Sequence, residues 1–591
     1  MRLVPRTVSV ELDGAPMSDA PFAPGSVGVG ALEIDAHVGE DGLAWSLANR
    51  SDRPVHVRRV SVDMTVDGVI GAVRMWRNGY QSWSACDTAI VGQHVDPSTL
   101  SPKFESFHGA HHADQRVARD GEIRSEWATV IADDRSAIAL GAIGGSAHDV
   151  TFRARRDDAA VTLSIEAFLG GAALDAGEGR PLHHVRIDGA GHATASDAPE
   201  LLGAWAAATG ETERARADAP YQVGWCSWYH YFGDVTAADI TSNLALAGDW
   251  PFDVFQVDDG YQRAIGDWLE TNETFPDGLP RLARDIADRG FRPGIWLAPF
   301  LAAPDSRVAT DHPDWLARHR SGRPLFAWLN PSWGGGQDGL MWALDTSHPE
   351  VLAHLEDVGR SLVALGFTYL KLDFTFAPSL DGHWHDERLT PAERVRAGYD
   401  AIRRGAGDDA FILGCGVPLS HVVGVVDGNR IGADVAPVWA LPAAAEIIPG
   451  YFRAQPATVH ALGNTLARSF MHRRLWLNDP DCLMLRTDAT QLNPVAARTW
   501  AEVVAVSGGM ALVSDDLSLL GPEARSMLDD VLATGRQSDG RAATGTPARC
   551  DDLMASELPA TLSSGQLAIE VDLETGSARP EPREDPRSAK S

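Results

Sequence analysis

The sequence is poor in cysteine and in positive charge. Its 591 residues include five cysteines, and 51 Lys and Arg stand against 81 Asp and Glu, so the formal net charge is −30. Nucleic-acid binding draws its affinity from Lys and Arg that neutralise phosphates, so this excess of acid argues against a nucleic-acid partner. The cysteines are scattered and odd in number, which argues against a disulfide scaffold and against the close pairs of zinc sites.

Long apolar runs are absent as well. No stretch of eighteen residues is apolar and free of charge, as a membrane-spanning helix requires. The first thirty residues carry Glu11 and Asp13 and show neither a long apolar segment nor a clear cleavage site. We therefore expect no membrane partner and a cytoplasmic location.

Several catalytic motifs are missing too. The chain has no Gly-x-Ser-x-Gly nucleophile elbow with a triad and no His-Glu-x-x-His motif. In the part where strands alternate with helices, no glycine-rich phosphate loop follows the first strand. His230, His348 and His460 are isolated, so no zinc site is indicated. We expect neither a metal nor an organic cofactor.

The length and the change of pattern along the chain indicate a multidomain α/β protein. At this length one hydrophobic core stops growing, so two or three domains are expected. Residues 1–200 read as short strands, because Val60, Val62, Met64 and Val66 alternate with polar residues, and a β-sandwich is the simplest architecture for them.

Residues 201–538 follow a different rhythm of apolar strand, loop and amphipathic helix. Eight strand candidates begin at 221, 252, 291, 369, 410, 428, 474 and 510. Strands that alternate with helices form parallel βα units, and eight units favour a central (β/α)₈ TIM barrel. An open doubly wound sheet is the alternative, and it would normally carry the phosphate loop that is missing.

Helix boundaries and the C-terminal end can be predicted locally. Ser347 with Glu350 suggests a capping box, with Gly366 as the stop of that helix. Thr390 with Glu393 suggests a second box. Residues 539–575 are expected to form a short β-rich region, and residues 576–591, rich in Pro, Arg, Glu and Ser, a disordered tail.

Polar and aromatic side chains follow the eight strand candidates. Active sites of such barrels gather at the C-terminal ends of the strands. The residues at these ends are Trp225, Trp228, Asp258, Asp259, Trp296, Lys371, Asp373, Cys415, Arg430, Asp434, Asp479, Asp481, Asp515 and Asp516. Asp373 and Asp434 are 61 residues apart, and two carboxylates in different environments are the minimum equipment for glycosidic cleavage with acid help.

Each of these residues also has a structural interpretation. Lys371 and Asp373 share one face of a strand and could form an ion pair of purely structural value. Asp258 and Asp259 could cap a helix, or accept hydrogen bonds from neighbouring sugar hydroxyls. Arg430 lies four residues before Asp434 on the same face, which by itself is weak evidence.

Seven segments in order resemble the melibiase-type α-galactosidases of glycoside hydrolase family 36. They are YQVGWCSWYHYF, FQVDDGYQ, GIWLAPF, YLKLDF, the GCG segment at 414–416, NRIGADVAPVW and LNDPDCLML, and NGYQSWS at 78–84 extends the match into the β-rich part. The resemblance covers residues 20 to 530. It implies an exo-acting, retaining enzyme that removes terminal α-galactose from oligosaccharides such as melibiose or raffinose.

The resemblance also implies roles for single residues. Asp373 would be the nucleophile, and Asp434 would protonate the leaving oxygen and then activate water. The implied sugar contacts are Asp258 and Asp259 at the 4- and 6-hydroxyls, Cys415 and Arg430 beside the 2- and 3-hydroxyls, Lys371 as a further galactose contact, Trp296 as a wall of the pocket, Trp83 closing the mouth, and Tyr229. Lys371 would in addition favour the ionised form of Asp373.

Two departures and several alternatives remain. Phe374 and Thr375 replace the polar pair that follows the nucleophile in larger members, and the C-terminal part is short, which leaves the aglycone preference open. An α-N-acetylgalactosaminidase or an α-galactosyl transferase would use the same scaffold. A sugar-binding module without catalysis would have lost Asp373 or Asp434, and both are present. A homo-oligomer is left open.

Overall fold

A computed structural model describes residues 1–94, 112–114, 116, 118–157, 160–333, 339–442, 455–555 and 557–580. Within them the chain forms two antiparallel sheets, a parallel eight-stranded barrel with surrounding helices, and two smaller sheets. None of the described helices combines the length and the apolarity that a membrane crossing needs. All five cysteines are buried free thiols.

The N-terminal part consists of a six-stranded and a nine-stranded antiparallel sheet. In spatial order the first contains Ser18–Pro21, Arg2–Leu12, Val55–Asp67, Ala160–Leu174, Asp149–Asp157 and Ile123–Glu126. The second contains Gly25–Val29, Leu32–Gly39, Gly42–Asn49, Val185–Asp188, Ala137–Ala142, Ala128–Ala132, Arg74–Arg77 and Asp87–Ile90, with Gly179–Pro181 beside Gly42–Asn49. Val60, Val62 and Met64 are fully buried. The packing of the two sheets as a sandwich stays a prediction.

The eight predicted barrel strands are confirmed. In chain order they are Val223–Cys226, Val254–Val257, Arg292–Leu297, Tyr369–Leu372, Phe411–Gly414, Gly428–Arg430, Leu477–Asp479 and Ala511–Val513, and we refer to them as the first to the eighth barrel strand. From the first strand to the seventh, neighbours in this order pair in parallel, and the eighth strand pairs with the first. Between the seventh and eighth strands, the Leu483 N–H donates to the carbonyl of Leu512, so the barrel is nearly closed.

Helices surround the barrel and begin where capping chemistry allows. The described α-helices are Ala198–Thr212, Trp228–Tyr231, Ala237–Ala247, Gly278–Ala287, Arg307–Asp311, Pro349–Leu365, Pro391–Ala406, Thr458–Ala467, Pro494–Ser507 and Pro522–Ala543. The described 3₁₀ turns are Ala195–Asp197, Phe232–Asp234, Pro313–Trp315, Pro331–Trp333, Ala377–Ser379, Leu419–Val422, Ser469–Met471 and Leu517–Leu519. The first helix runs across the domain boundary predicted at 200/201.

One of the two predicted capping boxes is wrong. The helix Pro349–Leu365 is capped by His348, whose ring accepts from the N–H of Glu350, because Pro349 fixes the first helical position one residue later than expected. The Ser347 N–H instead bonds Asp345. The box of Thr390 and Glu393 is confirmed, with both reciprocal hydrogen bonds present.

An insertion between the third and fourth barrel strands was not predicted. It carries a small antiparallel sheet of Leu301–Ala302, Phe326–Leu329 and Leu340–Ala343. Trp328 lies in the strand Phe326–Leu329 of this sheet, and Trp333 lies in the 3₁₀ turn Pro331–Trp333 that follows this strand. The insertion therefore brings aromatic side chains over the barrel mouth.

The C-terminal part is a four-stranded antiparallel sheet of Arg549–Cys550, Thr561–Ser564, Leu567–Asp572 and Ser577–Pro580. Because Ser577–Pro580 pairs with Leu567–Asp572, a disordered tail from residue 576 is wrong for these four residues. The alternation of Ile569 and Val571 with exposed residues gives that strand a buried face for its neighbour to extend. Residues 581–591 lie outside the described residues.

Candidate active site

The carboxylate of Asp373 lies directly after the fourth barrel strand and is buried apart from a small accessible edge. Its Oδ2 accepts a hydrogen bond from Trp296 Nε1 at 3.1 Å, and its Oδ1 accepts from the N–H of Phe374 at 2.8 Å. Phe374 itself has a positive φ of 52°, a conformation that residues with a Cβ rarely adopt. Two N–H donors fit an ionised carboxylate and leave its remaining lone pairs free.

Lys371 is bound to a different carboxylate from the one that strand alternation suggests. Its Nζ donates to Asp258 Oδ2 at 2.9 Å, and both side chains are buried. Although burial by itself lowers it, the pKa of Lys371 is raised well above its usual value by Asp258. Gln256 Nε2 and the Cys226 thiol also donate to Asp258 Oδ2. Lys371 therefore stays charged beside Asp258, and Asp373 is held by other donors.

Asp259 shares the second strand end with Asp258 but faces the insertion. Its Oδ2 accepts from Trp333 Nε1 at 2.6 Å, and its Oδ1 accepts from Gln262 Nε2 at 2.6 Å. Burial raises the pKa of Asp259 to about 6, and the carboxylates of Asp258 and Asp373 contribute in the same direction. Three carboxylates thus lie near one another at the ends of the second and fourth barrel strands.

Arg430 ends the sixth barrel strand and contacts three carboxylates. Its Nη1 lies 3.1 Å from Asp434 Oδ1, its Nε lies 3.1 Å from Asp479 Oδ2, and its Nη2 lies 2.8 Å from Asp481 Oδ1. Asp479 and Asp481 come from the seventh strand and its end. The guanidinium is therefore shared among three carboxylates, and Asp479 and Asp481 already balance its positive charge without Asp434.

Asp434 is the candidate acid of the site. Its side chain remains 34% accessible, against 2% for the side chain of Asp258, and Asp259 and Asp373 are buried. Burial of the carboxyl in the site raises the pKa of Asp434 to about 7, with Asp481 and Asp373 adding to the effect and Arg430 opposing it. Near neutral pH this group therefore exchanges a proton, as general acid and base catalysis requires.

Trp83 reaches the barrel mouth from the N-terminal part. Its ring meets Phe374 edge to face, with the centroids 5.0 Å apart. A side chain at Gly416, which has a φ of +52°, would come within 2.8 Å of the Trp83 ring. Cys415, next to this glycine, is buried, and its N–H donates to the carbonyl of Leu372 in the fourth strand. Gly416 is thus needed for the close approach of Trp83.

Arg468 attaches the segment that carries Trp83 to the barrel. It is fully buried and donates to Asn78 Oδ1, to the Ser82 carbonyl and to the Gly79 carbonyl. The same guanidinium donates to the carbonyl of Ile431, next to Arg430. One side chain therefore ties the NGYQSWS segment to the end of the sixth strand.

Tyr229 lies in the short helix after the first barrel strand. Its hydroxyl donates to Asp481 Oδ2, and the ring is buried. Burial, with the charges of Asp434 and Asp481, raises the pKa of Tyr229 well above its usual value, so the proton stays on the phenol. The implied sugar contact of Tyr229 stays a prediction, and the hydroxyl that would make it already has a partner.

Sequence reasoning missed three contributors to this arrangement. They are Trp333 and Gln262, which hold Asp259, and Trp328, whose ring lies 5.4 Å from that of Phe374. Asp481 was named among the strand-end residues, but its contact with Arg430 was not predicted. The cluster of tryptophans in FAWLNPSW could have indicated an aromatic lid, but only the fold shows that the insertion lies over the barrel mouth.

Among known proteins, the chain matches the melibiase family model over residues 221–375. It is 26% identical over 155 residues to the α-galactosidase AgaA of Geobacillus stearothermophilus, which is 25% of this chain and 20% of that protein. It is 25% identical over 219 residues to an A type blood α-D-galactosamine galactosaminidase of Flavonifractor plautii, 34% of this chain and 20% of that protein. The chain thus spans about a fifth of the length of these curated relatives.

Solved structures match over a longer range. TtGalA, an α-galactosidase from Thermus thermophilus in complex with p-nitrophenyl α-D-galactopyranoside, is 26% identical, with 93% of this chain and 99% of that chain covered and a TM-score of 0.68. The family 36 α-galactosidase AgaA is 14% identical, with 97% and 78% covered and a TM-score of 0.57, and shares the fold. Together with the barrel, these matches make the chain similar to the melibiase-type α-galactosidases of glycoside hydrolase family 36.

Proposed function

We propose that this protein is a retaining exo-α-galactosidase that hydrolyses terminal α-D-galactosyl residues of oligosaccharides. One observation carries the proposal: the carboxylates of Asp373 and Asp434 follow the fourth and the sixth barrel strands and lie in different environments. Asp373 accepts hydrogen bonds from Trp296 and from the Phe374 N–H, whereas the pKa of Asp434 is raised to about 7. This is the division between a nucleophile and an acid/base that retaining glycosidases need.

In the first step, Asp373 attacks the anomeric carbon of the galactosyl group. Asp434 gives its proton to the glycosidic oxygen, so the leaving sugar departs as a neutral alcohol and a galactosyl ester of Asp373 forms. Trp296 fixes the direction of the attacking carboxylate through its Nε1–H. The ring of Trp296 is itself held edge to face against Trp268, with the centroids 5.8 Å apart.

In the second step, Asp434 acts as a base. Its carboxylate takes a proton from water, the water oxygen attacks the anomeric carbon, and the bond to Asp373 breaks, which restores both side chains. The accessible third of the Asp434 side chain supports this role, because the group must meet a leaving alcohol and then water. In a retaining enzyme we expect the two carboxyl groups about 5 to 5.5 Å apart.

Galactose would be recognised by the polar group at the second and fourth strand ends. We assign the 4- and 6-hydroxyls to Asp258, Asp259 and Lys371. The hydrogen bond from Lys371 to Asp258, and those from Trp333 and Gln262 to Asp259, fix their positions before substrate arrives. Cys415 and Arg430 lie on the side assigned to the 2- and 3-hydroxyls. Trp83 and Trp328, with ring centroids 6.4 Å apart, would border the mouth where the leaving sugar sits.

Complexes of relatives support galactosides as substrates. TtGalA has been solved with stachyose and with p-nitrophenyl α-D-galactopyranoside. An α-N-acetylgalactosaminidase is the second candidate, because one curated relative is named an A type blood α-D-galactosamine galactosaminidase. Comparing hydrolysis of p-nitrophenyl α-galactoside with that of its N-acetyl analogue decides between them. The outcome depends on the room beside the 2-position, near Cys415.

The mechanism is tested by trapping and by substitution. A fluorinated galactoside should leave a covalent adduct that peptide mass spectrometry assigns to Asp373, since the fluorine slows the second step. We expect Asp373→Ala to lower kcat by a factor on the order of 10⁵ while galactose still binds. Asp516→Ala, at another strand end where Asp516 caps a short turn, is the matched control and should keep its turnover. Normal turnover by Asp373→Ala would refute the assignment.

A further inference from the structure

The carboxylate of Asp481 is fully enclosed and has a partner on every side. Its Oδ1 contacts Arg430 Nη2 at 2.8 Å and accepts from the N–H of Cys482 at 2.7 Å. Its Oδ2 accepts from the N–H of Val435 at 2.9 Å and from the hydroxyl of Tyr229. Asp481 thus joins the ends of the first, sixth and seventh barrel strands at one point.

The backbone at Asp481 is strained. Its φ is +94°, a region that residues with a Cβ rarely adopt. Such a conformation persists only where the surroundings over-determine it, and such strain clusters at functional sites. The carboxylate is therefore held in place by contacts that outweigh an unfavourable backbone.

Two of these contacts act on the acid/base group. The Val435 N–H belongs to the peptide that directly follows Asp434, so its bond to Asp481 fixes the backbone that presents the Asp434 side chain. Arg430 is the cation on Asp434, and Asp481 competes for the same guanidinium. The ionisable groups that face Asp434 are Arg430, Asp481, Asp373, Lys371, Tyr229 and Cys415.

We propose that Asp481 is a positioning residue for Asp434: it anchors the peptide after Asp434 and occupies Arg430, so that Arg430 does not hold Asp434 in its ionised form. The inference rests on the proposed function, in which Asp434 begins the reaction protonated. It explains how an acid can work within 3.1 Å of an arginine. Asp479 also binds Arg430, but among the described residues the N–H that follows Asp434 is hydrogen-bonded to Asp481 and not to Asp479.

The test is Asp481→Asn, which keeps the shape and removes the charge. Without the negative charge, Arg430 acts on Asp434 more strongly and the pKa of Asp434 falls. We expect the alkaline limb of kcat/KM for melibiose to move down by about 1 pH unit. Because the acid is also less well placed, kcat/KM should fall at least about tenfold more for melibiose than for 2,4-dinitrophenyl α-galactoside, whose leaving group needs little protonation.

The control is the same substitution at another enclosed pair. Asp515 follows the eighth strand, is fully buried and contacts Arg486 Nη1 at 2.6 Å. Asp515→Asn should leave both the limb and the ratio of the two substrates unchanged, even if it lowers stability. The midpoint of the limb does not depend on how much of a preparation is folded, so partial misfolding of Asp481→Asn does not mimic the effect.

The outcomes separate the two claims. An unshifted limb and an equal loss on both substrates in Asp481→Asn would overturn the inference and leave the proposed function standing. If that variant yields no folded protein, Tyr229→Phe is the second test, because it removes the hydrogen bond from the Tyr229 hydroxyl to Asp481 Oδ2. It should lower kcat/KM for melibiose more than for the dinitrophenyl galactoside, and an equal fall overturns the inference. No turnover of either substrate by the unchanged protein would overturn both.

Discussion

Replacing Lys371 with methionine tests which carboxylate this cation serves. Strand alternation places Lys371 on the face of Asp373, whereas the tertiary structure places its Nζ 2.9 Å from Asp258 Oδ2. Methionine fills a similar volume without the charge, so packing changes little. The substitution leaves Asp258, which is 2% exposed, as a buried carboxylate without its cation.

The size of the effect follows from that burial. Removing one partner of a buried ion pair costs about 3–5 kcal/mol, because an uncompensated charge is left. Asp258 keeps donors from Gln256, Cys226 and the Asp259 N–H, so we expect a value near the lower end, about 3 kcal/mol. Lys371→Met with Asp258→Asn removes both charges and should cost clearly less than the sum of the two single changes.

The assay is urea unfolding followed by tryptophan fluorescence, with the free energy of unfolding measured for both single variants and the double variant. A second cycle pairs Lys371→Met with Asp373→Asn. We expect a larger coupling for Lys371 with Asp258 than with Asp373. Additive losses in the first cycle, or a larger coupling in the second, would refute the assignment of Lys371 to Asp258.

Two further outcomes follow from the site. The first step needs the protonated form of Asp434, whose pKa is about 7, so kcat/KM for melibiose should fall about tenfold per pH unit above that value. A rate that holds to about pH 9 would contradict the role of Asp434 as the acid. An alkaline limb that survives in Asp434→Asn would contradict it as well. Gly416→Ala places a Cβ 2.8 Å from the Trp83 ring and 2.9 Å from the backbone N of Phe374, and the displacement should lower kcat/KM on the order of 100-fold. Gly290→Ala, with φ +88° and no atom within 4 Å, controls for backbone strain, and equal losses in both would remove Trp83 from the explanation.

Local sequence patterns were enough to predict the barrel strands. Each of the eight strand candidates contains the observed strand, because a buried parallel strand needs a short apolar run and its bounds are marked by polar or glycine residues. The cap at Thr390 was equally local. The shift from Ser347 to His348 shows the limit, since Pro349 and Asp345 together decide where that helix begins.

The contacts between strand ends were not predictable in the same way. Lys371 and Asp373 do share a strand end, but Trp296 reaches Asp373 because the third and fourth strands pair in register at Trp296 and Lys371. The hydrogen bond from Trp333 to Asp259 depends on the insertion, and no periodic pattern in the sequence predicts that the insertion lies over the barrel mouth. Such contacts join residues 74 or more positions apart.

The sequence by itself therefore determined the barrel strands and which strand ends carry carboxylates, because both follow from alternation and polarity within a few residues. Only the tertiary structure decided that Lys371 pairs with Asp258, that Arg430 is divided among Asp434, Asp479 and Asp481, and that Trp83 meets Gly416 across two parts of the chain. The physical reason is that the strength of an ion pair depends on the distance between the two charged groups and on their burial. Both are fixed only when the barrel closes.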